Sequence, residues 1–423
     1  MTDLFKRIYK EVGSNVKKDK ITDFINQYIL TGKLGLKKYS SIDTLILSLK
    51  TLDLSILMPQ LSIYEANKKY QSQEIKNVIG SGGASIIALL ICVGYTLSEI
   101  YDIIMQRSFV ELLEIDDLDT IIRNDIIKYK GQTDGKKLSE WINILISQRF
   151  KYQTMTQNIK QTETIDIGKM TAADLKKLAK EKEKEKKEKK KEKKEKYEDN
   201  HLYTFKELYE LTGKNLVVTG FSFEDPSTIK DNKLITSSAI NITEHGGNHI
   251  IFFSAKTTPD VIVSDAIVGS CAIPGIITPV NINGVEIMSP FITYDYPIDC
   301  IRKQELFYHM PTRVDGIRVL ERSPIQNLTG KYIDEITDKL LYKMYCILQH
   351  STGLYNLTQQ ENKFTNNIYV PTLSKTDSHF PYFSKTISDE IKTKMEFLVH
   401  GIGGVKDYLG KQNIIEQIAL TKL

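Results

Sequence analysis

Two hydroxyls set among glycines are the residues of this chain best placed to do covalent chemistry. Ser81 and Ser85 lie in Gly80-Ser81-Gly82-Gly83-Ala84-Ser85, between an apolar strand ending in Val78-Ile79 and an apolar helix from Ile86 to Val93. A strand-to-helix turn this tight is where a G-x-S-x-G elbow presents a nucleophilic serine, because the strained turn lifts the side chain above the sheet. On a register starting at Gly80 the nucleophile position is Gly82 and the last glycine falls on Ala84. The spacing is that of an elbow, and its central hydroxyl is missing. Ser81 and Ser85 are the candidate substitute nucleophiles. Their ordinary alternatives are a strand residue and a hydroxyl at a helix start. Neither is accompanied by a loop able to stabilise an oxyanion.

Other chemistries find less support. The glycines are not followed by the Lys-Ser/Thr of a phosphate-binding loop, so steric relief at the corner is the plainer reading. Seven histidines form no metal-binding spacing. His245 and His249 are four apart, but Gly246-Gly247 between them disfavours a helix, so both read as surface-loop residues. Cys92, Cys271, Cys300 and Cys346 are scattered, suggesting neither a disulfide framework nor zinc, and a reducing compartment fits them. Asp315-Gly316 reads as a turn. No cofactor or metal is implied.

The elements around the elbow alternate. Asp43 to Ser48 is a short buried strand, and Leu49-Lys-Thr-Leu-Asp-Leu-Ser-Ile-Leu-Met58 after it holds no glycine. Gly94 stops the helix that follows the elbow, and Thr96-Leu97-Ser98-Glu99 is a capping box opening the next. Helical periodicity covers Asp19 to Leu30, Leu97 to Glu114, Asp116 to Tyr129, a helix starting at Ser139, Tyr203 to Leu211, Asp265 to Gly275 with a closing Pro-Gly turn, Tyr332 to Leu348 and Ser388 to Leu409. Strands are expected at Asn215 to Gly220, His249 to Ser254 and Gly316 to Leu320, with a hairpin over Val280 to Ile287 whose Asn283-Gly284 suits a type I′ turn. Such alternation predicts an α/β sandwich on a mixed sheet.

The formal charge of +4 is set by one tract. Lys180 to Lys196 holds eleven Lys and six Glu, and without it 46 basic residues face 47 acidic ones. The remainder is neutral, so no basic face for nucleic acid is implied. The tract has helix propensity but no apolar side to bury, which makes it a solvated helix or a disordered insertion. The opening MTDLFKRIYKEVG has no apolar stretch like a signal peptide, and the run Ile86 to Val93 is far short of a membrane span, so a soluble cytoplasmic protein is expected.

Taken in order, several segments resemble patatin-like phospholipases, especially compact versions from large DNA viruses: IIALLICVGYTLSEI after the elbow, TFKELYELTGKNLVVTG at Thr204 to Gly220, DAIVGSCAIPGIITPVNING at Asp265 to Gly284, and YPIDCI at Tyr296 to Ile301. The resemblance implies a three-layer α/β/α sandwich with a central mixed, mostly parallel sheet. It divides the chain into an N-terminal helical segment (1–42), a first core part (43–175), the charged insertion (176–200), a second core part (201–330) and C-terminal helices (331–423).

Members of that family are lipid acyl hydrolases using a Ser-Asp dyad and a glycine-rich oxyanion loop. Matching this chain to the pattern puts Gly82 at the nucleophile and Ser289, of Ser289-Pro290-Phe291, at the dyad aspartate. Leu49 to Leu54 stands in place of the glycine-rich loop, with Asp53 where the family carries a basic residue. The expectation is a fold kept after its catalysis was lost, with a structural or interaction role, as in a viral assembly. Protein partners or self-association are expected. The alternatives are a lipid acyl hydrolase with a displaced nucleophile and a non-hydrolytic module binding lipid or an acyl chain.

Overall fold

The computed structural model describes residues 7–8, 10, 41–50, 52–66, 74–113, 133–163, 201–222, 239–241, 249–273, 277–290, 296–321, 366–370, 390–391 and 393–405. The helices expected at 19–30, 116–129 and 332–348, and the Lys/Glu tract, lie outside these residues.

Nine strands are described: β1 Thr44–Leu49, β2 Asn77–Gly82, β3 Asn215–Ser222, β4 Ala239–Asn241, β5 His249–Ser254, β6 Val280–Ile282, β7 Val285–Ile287, β8 Val314–Glu321 and β9 Asn366–Val370. Seven form one sheet in the order β4-β5-β3-β2-β1-β8-β9. Strands β3, β2, β1, β8 and β9 run parallel, and β5 is antiparallel to both its neighbours, β3 and β4. Every residue of β1, β2 and β3 is buried, as expected of central strands covered on both faces. The sheet is mixed and mostly parallel, in an α/β/α sandwich.

Helices are α1 Met58–Ala66, α2 Ala84–Cys92, α3 Leu97–Gln106, α4 Phe109–Leu113, α5 Lys136–Glu163, α6 Phe205–Thr212 and α7 Val263–Cys271. All nine residues of α2 are buried, as its sequence, apolar all round except at Ser85, requires. Both reciprocal bonds of the capping box form at Thr96 with Glu99, starting α3, and again at Thr204 with Glu207, starting α6. The β6-β7 hairpin turns through Asn283 at φ +52 and Gly284 at φ +88, the left-handed pair of a type I′ turn.

Three expectations need correction. The segment 97–114 is two helices, because Arg107 is extended (φ −91, ψ 129) and Ser108 starts a new one by accepting the Glu111 amide. Asp315-Gly316 is no turn: both residues lie inside β8. A side chain at Gly316 would put its Cβ 2.4 Å from the Tyr296 hydroxyl, so this glycine makes room for a neighbour. His249 is the first residue of β5, not of a loop, and His245 lies outside the described residues.

At the amino edge of the parallel strands, three polar side chains hold one loop. Asn215 donates to Leu306 O (2.9 Å), Asn77 to His309 O (2.9 Å), and the Asp43 carboxylate accepts the amides of Thr312 (3.2 Å) and Arg313 (3.0 Å). The chain from 306 to 313 thus crosses the starts of β3, β2 and β1 before entering β8.

Candidate functional site

The carboxyl edge of the sheet holds the elbow. Strand β2 continues through Ser81 to Gly82, α2 begins at Ala84, and Gly83 alone connects them, so the expected six-residue turn is one residue. Gly80 is needed because a Cβ there would lie 2.4 Å from Ser85 Cα of the returning helix. Gly82 has φ +61, the left-handed conformation in which a turn can aim a side chain away from its strand.

The space that such a side chain would need is occupied. A Cβ on Gly82 would stand 2.2 Å from the carbonyl oxygen of Leu49 and 3.3 Å from Lys50 Cα, both backbone atoms at the end of β1. Leu49 pairs with Gly82 across the sheet, so this approach is part of the ladder itself. Beyond Leu49 the chain enters a 3-10 turn, Leu54–Leu57, with Asp53 before it (φ −80, ψ 58). Three amide donors here are already used: Leu54 donates to Leu52 O, Ile56 to Asp53 O and Met58 to Ser55 O.

The elbow backbone is engaged too. Gly82 N–H donates to Ser270 Oγ (2.9 Å), and Gly82 O accepts from Ser85 Oγ (2.6 Å) and from Cys271 Sγ (3.6 Å). Ser85 and Cys271 lie 4.0 Å apart. Burial pushes the Cys271 thiol up to about 12, against the pull of the Ser85 hydrogen bond, so it is no thiolate at neutral pH. Ser85 therefore has a carbonyl and a neutral thiol for partners, and neither is a base. Ser81 is buried in β2 between Ser48 and Thr219.

Ser289 follows β7 and is fully buried. Its amide donates to Ala272 O at the end of α7, and its hydroxyl has no partner among the described residues. The last turn of α7 thus touches both positions singled out by sequence, Gly82 through Ser270 and Cys271, and Ser289 through the next residue. Phe291 lies outside the described residues. Asp315 pairs with Leu45, four residues before Leu49, which puts it about 13 Å along the sheet from the elbow.

Sequence reasoning missed Ser270, Cys271 and the Leu49 carbonyl. Ser-Cys at the end of an apolar helix before Ala-Ile-Pro carries no pattern of its own, and a backbone carbonyl leaves no mark in sequence. Among the described residues no group of three or more His, Cys, Asp or Glu could hold a metal, and no helix is long and apolar enough to cross a membrane.

The patatin-like phospholipase family model matches residues 60–316, more than half of the 423, and the chain belongs to that family. The match begins inside α1, after β1 and the segment from Leu49 to Leu54. VipD from Legionella pneumophila is similar at 15% identity and TM-score 0.43, over 88% of this chain and 68% of that one. ExoU from Pseudomonas aeruginosa, in complex with SpcU, is similar at 12% identity and TM-score 0.39, over 88% of this chain and 53% of that one. This chain thus spans about half of the ExoU chain. No curated protein sequence matches it at a significant level.

Proposed function

We propose that this protein is a patatin-like phospholipase relative without acyl-hydrolase turnover, which works by binding, as an interaction or assembly component. The observation that carries the reading is the 2.2 Å approach of the Leu49 carbonyl to the Cβ position of Gly82. A family enzyme needs a nucleophile there and vacant amide donors beside it. Here a carbonyl fills the first place, and the nearby amides of Gly82, Leu54 and Ile56 are spent on protein acceptors. Ser289 in the dyad position offers a hydroxyl where the reaction needs a carboxylate.

The reading is tested with purified full-length protein on phospholipid vesicles and with a serine-directed fluorophosphonate. Neither fatty acid release nor labelling is expected. Release that disappears in Ser81→Ala or Ser85→Ala would overturn the reading in favour of a displaced nucleophile. Lipid copurifying with the protein, found by mass spectrometry without hydrolysis, would identify the partner as an acyl chain rather than another protein.

A further inference from the structure

The loop strapped across the amino edge of the sheet forms one wall of a hollow of about 430 Å³, lined by Asp43, Glu74, Lys76, His309, Met310 and Arg313. It lies at the opposite end of the strands from the elbow. Its two carboxylates are already engaged by protein donors and share the one guanidinium of Arg313. Asp43 accepts the Thr312 and Arg313 amides and the Thr312 and Thr44 hydroxyls, and the Arg313 guanidinium lies 3.6 Å away. Glu74 is held by Arg313 at 3.4 Å and by the Ser41 hydroxyl.

Asp43, Glu74 and Arg313 sum to one negative charge, against which Lys76 and the neighbouring Lys214 set two positive ones. Lys76 and His309 are exposed in the hollow, and neither forms an ion pair with a carboxylate among the described residues. A second lysine, Lys214, adds to the field. Burial lowers its pKa, Cys92 opposes that, and the charge of Lys76 lowers it further, so the two ammonium groups repel one another. An anion beside Lys76 relieves that repulsion.

The hollow also has an apolar side. Met310 lines it while remaining 44% exposed. A bare inorganic ion uses none of this surface, whereas the substituent of a phosphate ester covers it. The volume suits a small organic ligand, for which sites of about 300–1,000 Å³ are usual.

We propose that this hollow binds an organic phosphate, with the phosphoryl oxygens on Lys76 and His309 and the substituent on Met310. A soluble phosphomonoester and a phospholipid headgroup share that chemistry. The full-length protein is titrated with phenyl phosphate and inorganic phosphate by calorimetry, and sedimented with phosphatidylcholine vesicles containing or lacking phosphatidic acid. Lys76→Glu and His309→Ala serve as variants, both at exposed side chains, with circular dichroism confirming their fold.

Phenyl phosphate is expected to bind more tightly than inorganic phosphate, with affinity falling about tenfold or more in Lys76→Glu. Binding of the soluble ester alone assigns the site to a free phosphate. Sedimentation that requires phosphatidic acid and is lost in Lys76→Glu assigns it to a headgroup. The proposal is overturned if neither source binds, if both variants bind as the unaltered protein does, or if inorganic phosphate binds as well as the ester.

Discussion

At the scale of single residues, Gly82 is the position on which the functional reading turns, and it makes a sharp prediction. If the elbow lacked only its hydroxyl, Gly82→Ser would restore a nucleophile. With the Leu49 carbonyl 2.2 Å from the new Cβ, the variant is instead expected to lose about 2–5 kcal/mol in urea denaturation, from overpacking and left-handed strain together, and to gain no fluorophosphonate labelling. Ser85→Ala removes one donor from the Gly82 carbonyl, with Cys271 remaining beside it. A loss of about 1 kcal/mol is expected. The sequence suggested an absent hydroxyl at Gly82 through an elbow register laid from Gly80 to Ala84. It could not disclose what took the space, because the intruding atom belongs to the backbone of β1 and comes near only through strand pairing.

Elements were legible where a local rule decides them. The capping boxes at Thr96 and Thr204 and the Asn283-Gly284 turn stand where their side chains demand. The break at Arg107 was read through because apolar periodicity continues across it, although Ser108-Phe-Val-Glu111 has the Ser-x-x-Glu spacing of a helix start. Its partner is remote: Glu390 accepts the Phe109 amide (2.7 Å) and the Ser108 hydroxyl (2.6 Å), and pairs with Lys394 at 3.1 Å in a buried setting. Glu390→Ala leaves Lys394 buried and unpaired and is expected to cost about 3–5 kcal/mol. The double variant Glu390→Ala/Lys394→Met should cost less than the sum of its parts.

A pH test suits the loop over the amino edge. Burial alone raises the pKa of Asp43, but the Thr312 and Thr44 hydroxyls and the Thr312 and Arg313 amides outweigh it, holding the carboxyl below its ordinary 3.8. A depressed native pKa stabilises above the unfolded value and ceases to do so as pH falls through the native one. The stability advantage over Asp43→Asn, measured in urea, should therefore be full at neutral pH and shrink in acid below the ordinary aspartate range.

For the whole molecule, the core predicts how the thiols behave. Cys92, Cys271 and Cys300 are buried, with Cys92 and Cys271 pushed up to about 12 and Cys300 also well above its usual value by burial. At neutral pH these three should resist a disulfide reagent until the protein is unfolded by urea, when all react. The sheet order escaped sequence reasoning for a related reason. Uniformly apolar strands such as β1 and β3 announce burial without naming neighbours, and the antiparallel edge of β5 and β4 depends on pairings distant in the chain. One consequence concerns mutation. With a main-chain oxygen 2.2 Å from where a side chain at Gly82 would begin, no single codon change at the elbow makes room for a nucleophile. The first β-strand and the elbow would have to be rebuilt together before a side chain could stand there.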